Sequence, residues 1–149
     1  MAIVKSNYTG GNGRPVLHSP YVANVPAETI VTHTFTASVG ASDILELAYL
    51  PPYCKVLGVD LLTVGTAAVT FTVGMMSGAV GSDDPARTSG SELFSAVTPT
   101  TMQSAALTAL VALQPASEAR SIGVKVSGTV AASGSTQLHM RIRYATGGQ

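Results

Sequence analysis

The stretch of sequence that decides the fold lies near the C-terminus and reads Thr136-Gln137-Leu138-His139-Met140-Arg141-Ile142-Arg143-Tyr144. Leu138, Met140 and Ile142 alternate strictly with polar side chains, so one face of the stretch is apolar and the other is polar. Alternation with a period of two residues is typical of a β-strand that buries one face. The stretch therefore predicts a half-buried strand whose outward face carries Arg141 and Arg143.

The same period-two pattern recurs along the chain upstream of this stretch. It predicts further strands over residues 30–39, 44–50, 55–64, 66–76, 91–96, 107–113 and 122–127. In the strand over 55–64 the pattern places Leu57, Val59 and Leu61 on one face. Turn signals separate the strands at roughly 8–12-residue spacing, which is typical of sandwiches and jelly rolls. The fold class predicted is all-β, a jelly-roll-like β-sandwich of seven or eight antiparallel strands.

One segment of this pattern is ambiguous. The alanine and leucine content of residues 100–113 suits a helix, but turn signals with proline leave only a short window for it. We therefore favour a strand over 107–113.

The N-terminal region differs in composition from the remainder of the chain. Residues 1–27 contain several glycines and prolines, which disfavour a helix or a central strand. They also contain more apolar and aromatic side chains than a purely solvated tail would carry. We expect an extended arm over 1–27, with apolar anchors, followed by a sandwich domain over 28–149.

Composition excludes several classes of protein. The chain has 149 residues, the usual size of one domain, and a formal net charge of zero, which argues against a nucleic-acid partner. No apolar run approaches the roughly 20 residues of a transmembrane helix, so no membrane partner is expected. The N-terminus shows no secretory signal pattern, and the single cysteine, Cys54, offers no internal disulfide. Synthesis in a cytoplasm is therefore expected.

Motifs that carry chemistry are not found in the sequence. The histidines are widely spaced, and His33 falls on an inward-facing position where a core or rim histidine is expected. Asp83 and Asp84 could contribute to a calcium site, but the calcium-loop spacing is missing and Asp84-Pro85 is an ordinary turn opening. We predict no enzyme, no catalytic residue, no metal and no cofactor.

Several turn-and-strand segments together resemble a known family. They are Asp43-Ile-Leu-Glu-Leu-Ala-Tyr-Leu-Pro51, Lys55-Val-Leu-Gly-Val59, Val73-Gly-Met-Met-Ser-Gly78, Arg87-Thr-Ser-Gly-Ser-Glu-Leu-Phe94 and Arg120-Ser-Ile-Gly-Val-Lys125. Their order is similar to that in small structural proteins of tailed bacteriophages, particularly capsid decoration (cement) proteins. The resemblance covers most of the chain after Glu28.

This resemblance implies a virion protein on the outer surface of an icosahedral capsid. It would bridge neighbouring subunits of the major capsid protein and form homodimers or homotrimers at capsid symmetry axes. The candidate partner-binding residues are Tyr8, Arg14, Leu17, Tyr21 and Val22 in the arm, with Arg141 and Arg143 in the last strand. Two alternatives stay open: another virion part, such as a head fibre or tail component, and a carbohydrate- or receptor-binding module displayed on the particle. For the two arginines, a further alternative is that they are solvent-facing charges that discourage edge aggregation.

Overall fold

The computed structural model describes residues 1–6, 9, 26–65 and 68–146. Within these residues the chain forms nine strands and one short helix. In chain order they are β1 (Ile3–Lys5), β2 (Ala27–Thr34), β3 (Ile44–Leu50), β4 (Cys54–Val64), β5 (Phe71–Met75), β6 (Phe94–Val97), β7 (Gln103–Ser104), α1 (Leu107–Ala112), β8 (Arg120–Val126) and β9 (Gln137–Thr146).

The strands form two sheets that pack face to face. One sheet has five strands in the order β1-β3-β8-β5-β6, and the other has four in the order β2-β9-β4-β7. All pairings are antiparallel except that of β1 with β3. Apolar side chains from both sheets form one core between them. The prediction of an all-β, jelly-roll-like sandwich is confirmed.

Strand β9 lies in the interior of the four-stranded sheet, between β2 and β4. Leu138, Met140 and Ile142 are fully buried in the core, while Arg141 and Arg143 point away from it. The predicted alternation is therefore confirmed. Arg141 and Arg143 are partly exposed to solvent, as that alternative expected. Because β9 has a partner on each side, they do not lie at a sheet edge, so the expectation that they discourage edge aggregation is wrong.

The predicted placement of Leu57 on the same face as Val59 and Leu61 is also wrong. The register between β4 and β9 shifts between Val56 and Gly58, which is the mark of a β-bulge. Val56 and Val59 are buried on the two sides of this irregularity, and Leu57 is exposed. A one-residue bulge changes which residues face the core, and the period-two pattern does not reveal where it falls.

The strand predicted over 107–113 is a helix in the structure. Helix α1 covers Leu107–Ala112, and the N–H of Leu110 donates to the carbonyl of Ala106. Leu110 and Leu113 are buried, whereas Leu107 and Val111 are exposed. This three-residue spacing of buried positions is helical, so the alanine and leucine content outweighed the short window.

The N-terminus of the described chain belongs to the five-stranded sheet. Strand β1 pairs in parallel with β3, and the N–H of Ser6 extends this pairing to the carbonyl of Glu46. Ala27, the last residue of the predicted arm, begins β2. Residues 7–8 and 10–25 lie outside the described residues, so the division into an arm and a domain stays a prediction. In the part of the chain that the structure describes, no helix is long and apolar enough to cross a membrane.

Candidate functional site

The outward side chains of the four-stranded sheet stand in rows across its strands. We call this surface, formed by the outward residues of β2, β9, β4 and β7, the outer face. One row runs Ile30, Arg141, Asp60 and Ser104, because Arg141 pairs with Ile30 on one side and with Asp60 on the other. Since directly opposed residues in antiparallel strands point to the same side of the sheet, these side chains are neighbours.

An ion pair between Arg141 and Asp60 lies at the centre of the outer face. Nε of Arg141 donates to Oδ2 of Asp60 at 2.7 Å, and Oγ of Ser104 donates to Oδ1 of the same carboxylate at 2.6 Å. The hydrogen bond from Ser104 and the one from Arg141 outweigh partial burial and lower the pKa of Asp60. The carboxylate in turn raises the pKa of Arg141. The guanidinium of Arg141 is therefore fixed in position, which reduces the ordering cost of any contact it makes with a partner.

The second arginine lies in the neighbouring row. Nε of Arg143 is 3.8 Å from Oε2 of Glu28, and Nη2 would lie 3.3 Å from a Cβ atom built at Gly58. The guanidinium therefore extends over Gly58, a position without a side chain. With 51% of its side chain exposed, Arg143 presents its charge to solvent and is the freer of the two cations.

Apolar side chains surround the ion pair and leave a shallow depression beside it. The depression has a volume of about 150 Å³ and is lined by Ile30, Asp60, Leu61, Leu62, Met102, His139 and Arg141. Small-molecule pockets usually measure roughly 300–1,000 Å³, so this one is too small for a typical ligand. Ile30 and Met102 are 61% and 58% exposed. Large exposed apolar side chains around a fixed charge are typical of a protein contact surface.

The structure describes only two of the seven predicted binding residues. Arg141 and Arg143 lie on the outer face, as described above. The other five, Tyr8, Arg14, Leu17, Tyr21 and Val22, lie outside the described residues, so their role stays a prediction.

Sequence reasoning missed the partners of these arginines. Asp60 is 81 positions from Arg141, and Ile30 and Glu28 lie on a strand at the other side of β9. The alternation of each strand indicates which side chains point outward. The register between strands that are distant in sequence brings them together, and no local pattern encodes that register.

A second polar cluster lies buried on the outside of the five-stranded sheet. Glu46 of β3 is fully buried, and Oε1 accepts hydrogen bonds from Nη2 of Arg87 and the N–H of Gly81, both at 3.0 Å. Oε2 accepts from Lys5 of β1, and Oγ of Ser121 donates to Oε1. The cluster thus joins β1, β3, β8 and the loop over 77–90.

Arg87 fastens that loop to the sheet. Nε and Nη1 donate to the carbonyls of Ser77 and Ser82, each at 2.8 Å, and Nη2 also donates to Oγ of Ser121 at 3.1 Å. The guanidinium is fully buried and its donors are directed at oxygens of the loop and the sheet. The loop over 77–90 is therefore a fixed part of the fold, and Glu46 and Arg87 have a structural role.

The ionisation of Glu46 makes the stability of the fold depend on pH. Burial by itself raises the pKa of Glu46, but hydrogen bonds from Arg87, Gly81, Lys5 and Ser121 outweigh it and lower the pKa from 4.5 to about 2. Stability from this group is complete above pH 4.5 and is lost as the pH falls towards 2. At 1.36 kcal/mol per pKa unit, about 3 kcal/mol is lost over this range.

We expect urea unfolding of the natural chain, measured from pH 6 to pH 2, to show that loss. The Glu46→Gln variant serves as the control, because glutamine does not titrate. Its stability should change less between pH 4.5 and 2 than that of the natural chain. Equal slopes in the two proteins would contradict the lowered pKa of Glu46.

His33, Asp83 and Asp84, which the sequence offers as possible metal ligands, contact other parts of the fold. His33 is buried with its ring nearly perpendicular to that of Phe35, at a centroid distance of 4.9 Å, and burial lowers its pKa. Oδ1 of Asp84 accepts the N–H of Ala86 at 2.9 Å, which confirms the turn. Asp83 lies 3.6 Å from Nζ of Lys5. The described residues contain no group of three His, Cys, Asp or Glu side chains that could hold a metal ion.

Comparison with known proteins places the fold among phage capsid chains. No protein-family model matches the chain, and no curated protein matches it. A chain in the solved capsid of Ralstonia phage GP4 is 29% identical, with a TM-score of 0.86 over 99% of this chain and 100% of that one. The protein is similar, from end to end, to a phage capsid chain. This similarity supports a structural role in a virion.

A second solved structure shares the fold at lower similarity. A chain of the cyanophage Pam1 capsid asymmetric unit is 19% identical, with a TM-score of 0.57 over 91% of this chain and 96% of that one. At this identity the likeness shows a common fold alone. Both capsid chains are matched over nearly their whole lengths, so the unit they share with this chain is the entire sandwich.

Proposed function

We propose that the protein is a capsid decoration protein, which sits on the outer surface of a phage capsid and bridges subunits of the major capsid protein. The observation that carries this proposal is the end-to-end similarity to a chain of the Ralstonia phage GP4 capsid. The protein acts by binding and catalyses no reaction. Such a role needs a stable small fold, surfaces for neighbouring proteins and no catalytic centre.

The outer face supplies one such surface. Its fixed Arg141, its freer Arg143 and the exposed Met102 combine charge with apolar area. Arginine forms directional hydrogen bonds with carboxylates, and apolar side chains beside it exclude water from those bonds. We propose that the outer face binds the capsid shell and that residues 10–25 provide a second, extended tether.

The alternative, a carbohydrate- or receptor-binding module, would use the loop over 77–90 as its contact surface. Arg87 bonds to the carbonyls of Ser77 and Ser82 and so fixes the shape of this loop, while residues 83–86 are exposed. Binding to a glycan array would favour that alternative over capsid binding.

Capsids that lack the protein provide the test of the outer face. We expect Arg143→Glu to reduce binding to such capsids about tenfold or more, because it places a negative charge where the contact needs a positive one. Lys125→Glu is the matched control, since it reverses one charge on the five-stranded sheet. Occupancy is measured by cosedimentation and cryo-electron microscopy. Equal binding by both variants would contradict a contact through the outer face.

The tether is tested by a replacement of residues 10–25 with a glycine–serine segment of equal length. A replacement is preferable to deletion of residues 1–27, because deletion would also remove β1 and the Lys5 bond to Glu46. We expect the replaced chain to fold and to lose capsid occupancy. Full occupancy would show that this segment is no tether.

A further inference from the structure

Three of the four edge strands of the two sheets have features that prevent pairing with another chain, and the fourth does not. Strand β1 has three residues including Lys5, β7 has two residues, and β6 has four residues with an irregular register against β5. Short strands, lysine and irregular pairing are the devices by which proteins prevent edge-to-edge association. The fourth edge strand, β2, has eight residues in unbroken register with β9 and contains no lysine or proline.

The hydrogen-bonding pattern shows which backbone groups of β2 face its open edge. The N–H of Phe35 donates to the carbonyl of Thr136, directly opposite it in the continued register of β2 and β9. Antiparallel ladders alternate between bonded and non-bonded pairs, so the odd-numbered residues of β2 bond to β9. The N–H and C=O groups of Glu28, Ile30 and Thr32 therefore point away from β9. Within the described residues, β9 is the only strand that pairs with β2.

From this arrangement we infer that β2 is a docking edge for a second copy of this chain. Two β2 strands pair antiparallel across a twofold axis and join the two four-stranded sheets into one eight-stranded sheet. The inference deepens the self-association expected of the proposed decoration protein and rests on it for its biological setting. Its physical basis, that among the described residues only β9 pairs with β2, is independent of any capsid.

The sequence of β2 is compatible with such self-pairing. If both outer faces are to lie on the same side of the joined sheet, one residue of β2 has to pair with the same residue of the second copy. The twofold axis then lies midway between these two residues. With the axis at Ile30, that exposed side chain contacts its own copy and Glu28 lies opposite Thr32 of the second copy. With the axis at Val31, Ile30 lies opposite Thr32 and Glu28 opposite Thr34. Both arrangements cover Ile30 and keep the two Glu28 carboxylates apart, so no like charges oppose each other.

The oligomeric state of the purified full chain tests the inference without a capsid. We expect sedimentation equilibrium between 10 µM and 1 mM to show a monomer–dimer equilibrium. Ile30→Pro removes one edge N–H from each copy but leaves the bonds to β9 intact, since proline is tolerated where the N–H faces outward. It should raise the dimer dissociation constant at least about tenfold. The matched control Ile30→Val keeps the N–H and should raise it less.

Hydrogen exchange of the natural chain provides a second readout that needs no variant. The amides of Glu28, Ile30 and Thr32 should become protected as the protein concentration rises, while those of Thr29 and Val31 are protected throughout. A monomer at 1 mM overturns the inference, and so do equal effects of proline and valine. Edge amides already protected in the monomer overturn it as well. A dimer that fails to bind capsids would contradict the proposed function alone, whereas a monomer that binds them would contradict this inference alone.

Discussion

Replacing Glu46 with glutamine should lower the free energy of unfolding by about 3–5 kcal/mol, the usual cost of removing one member of a buried ion pair. Glutamine has nearly the same shape, so the change isolates the charge. It leaves the fully buried guanidinium of Arg87 without its anion and weakens the bond from Lys5. The amide group would also present N–H donors to a site that is already lined with donors. Urea unfolding at pH 7 measures the effect.

Two further variants make this experiment specific. Glu118→Gln makes the same chemical change at an exposed position, and we expect it to stay within about 0.5 kcal/mol of the natural chain. Combining Glu46→Gln with Arg87→Met removes both charges, so the double variant should lose less stability than the two single losses added together. A loss below about 1 kcal/mol for Glu46→Gln, or strict additivity, would mean that the pair is not a buried ionic contact.

The sequence predicts to which side of a strand each side chain points better than it predicts which other segments of the chain cover that side. The alternation over 136–144 correctly predicts which side chains of β9 are buried, because both the apolar pattern and the pleat have a period of two. In β3 the same alternation places Leu45 and Leu47 on the face opposite Glu46. The structure buries Glu46 under the loop over 77–90. Burial by a distant segment depends on tertiary packing, which a local pattern does not encode.

Register and bulges limit the prediction of the candidate site in a similar way. The sequence predicts Arg141 and Arg143 as outward residues, and the structure agrees. It does not predict that Asp60 fixes Arg141, because that contact depends on the alignment of β4 with β9. The bulge near Leu57 is one residue long and reverses the exposure of that side chain. A list of strands can therefore be correct while the predicted surface residues are wrong, because a one-residue change in register or a one-residue bulge changes which side chains are exposed.

Gly74 is the position where we expect a single added methyl group to be most damaging. It lies on β5 opposite Gly123 of β8, beneath the segment that follows the loop over 77–90. A Cβ atom at Gly74 would overlap the backbone of Gly90, at 2.5 Å from its carbonyl oxygen. The Cβ atom would also overlap Oε2 of Glu92, but that side chain can rotate away, whereas the backbone of Gly90 cannot. The segment therefore has to move away from the sheet for alanine to fit.

Hydrogen bonds on both sides of the contact oppose that movement. The N–H of Gly90 donates to the carbonyl of Met75, and the N–H of Leu93 donates to the carbonyl of Val73, each at 3.0 Å. Gly74→Ala should therefore cost about 3 kcal/mol or more, at the upper end of the range for overpacking. Thermal and urea unfolding measure the loss, and faster amide exchange at Gly90 and Leu93 would locate it.

Gly134→Ala is the matched control for this substitution. A Cβ atom at Gly134 meets nothing within 4 Å, and the residue has no positive φ. The same glycine-to-alanine change there removes freedom from the unfolded chain without a clash, so it should be neutral or stabilise by up to about 1 kcal/mol. If both variants had the same stability, the contact between Gly74 and Gly90 would not be a tight one. The loop over 77–90 would then be attached to the sheet by its hydrogen bonds, which include those of Arg87 to Glu46 and of Gly90 to Met75, without close backbone packing.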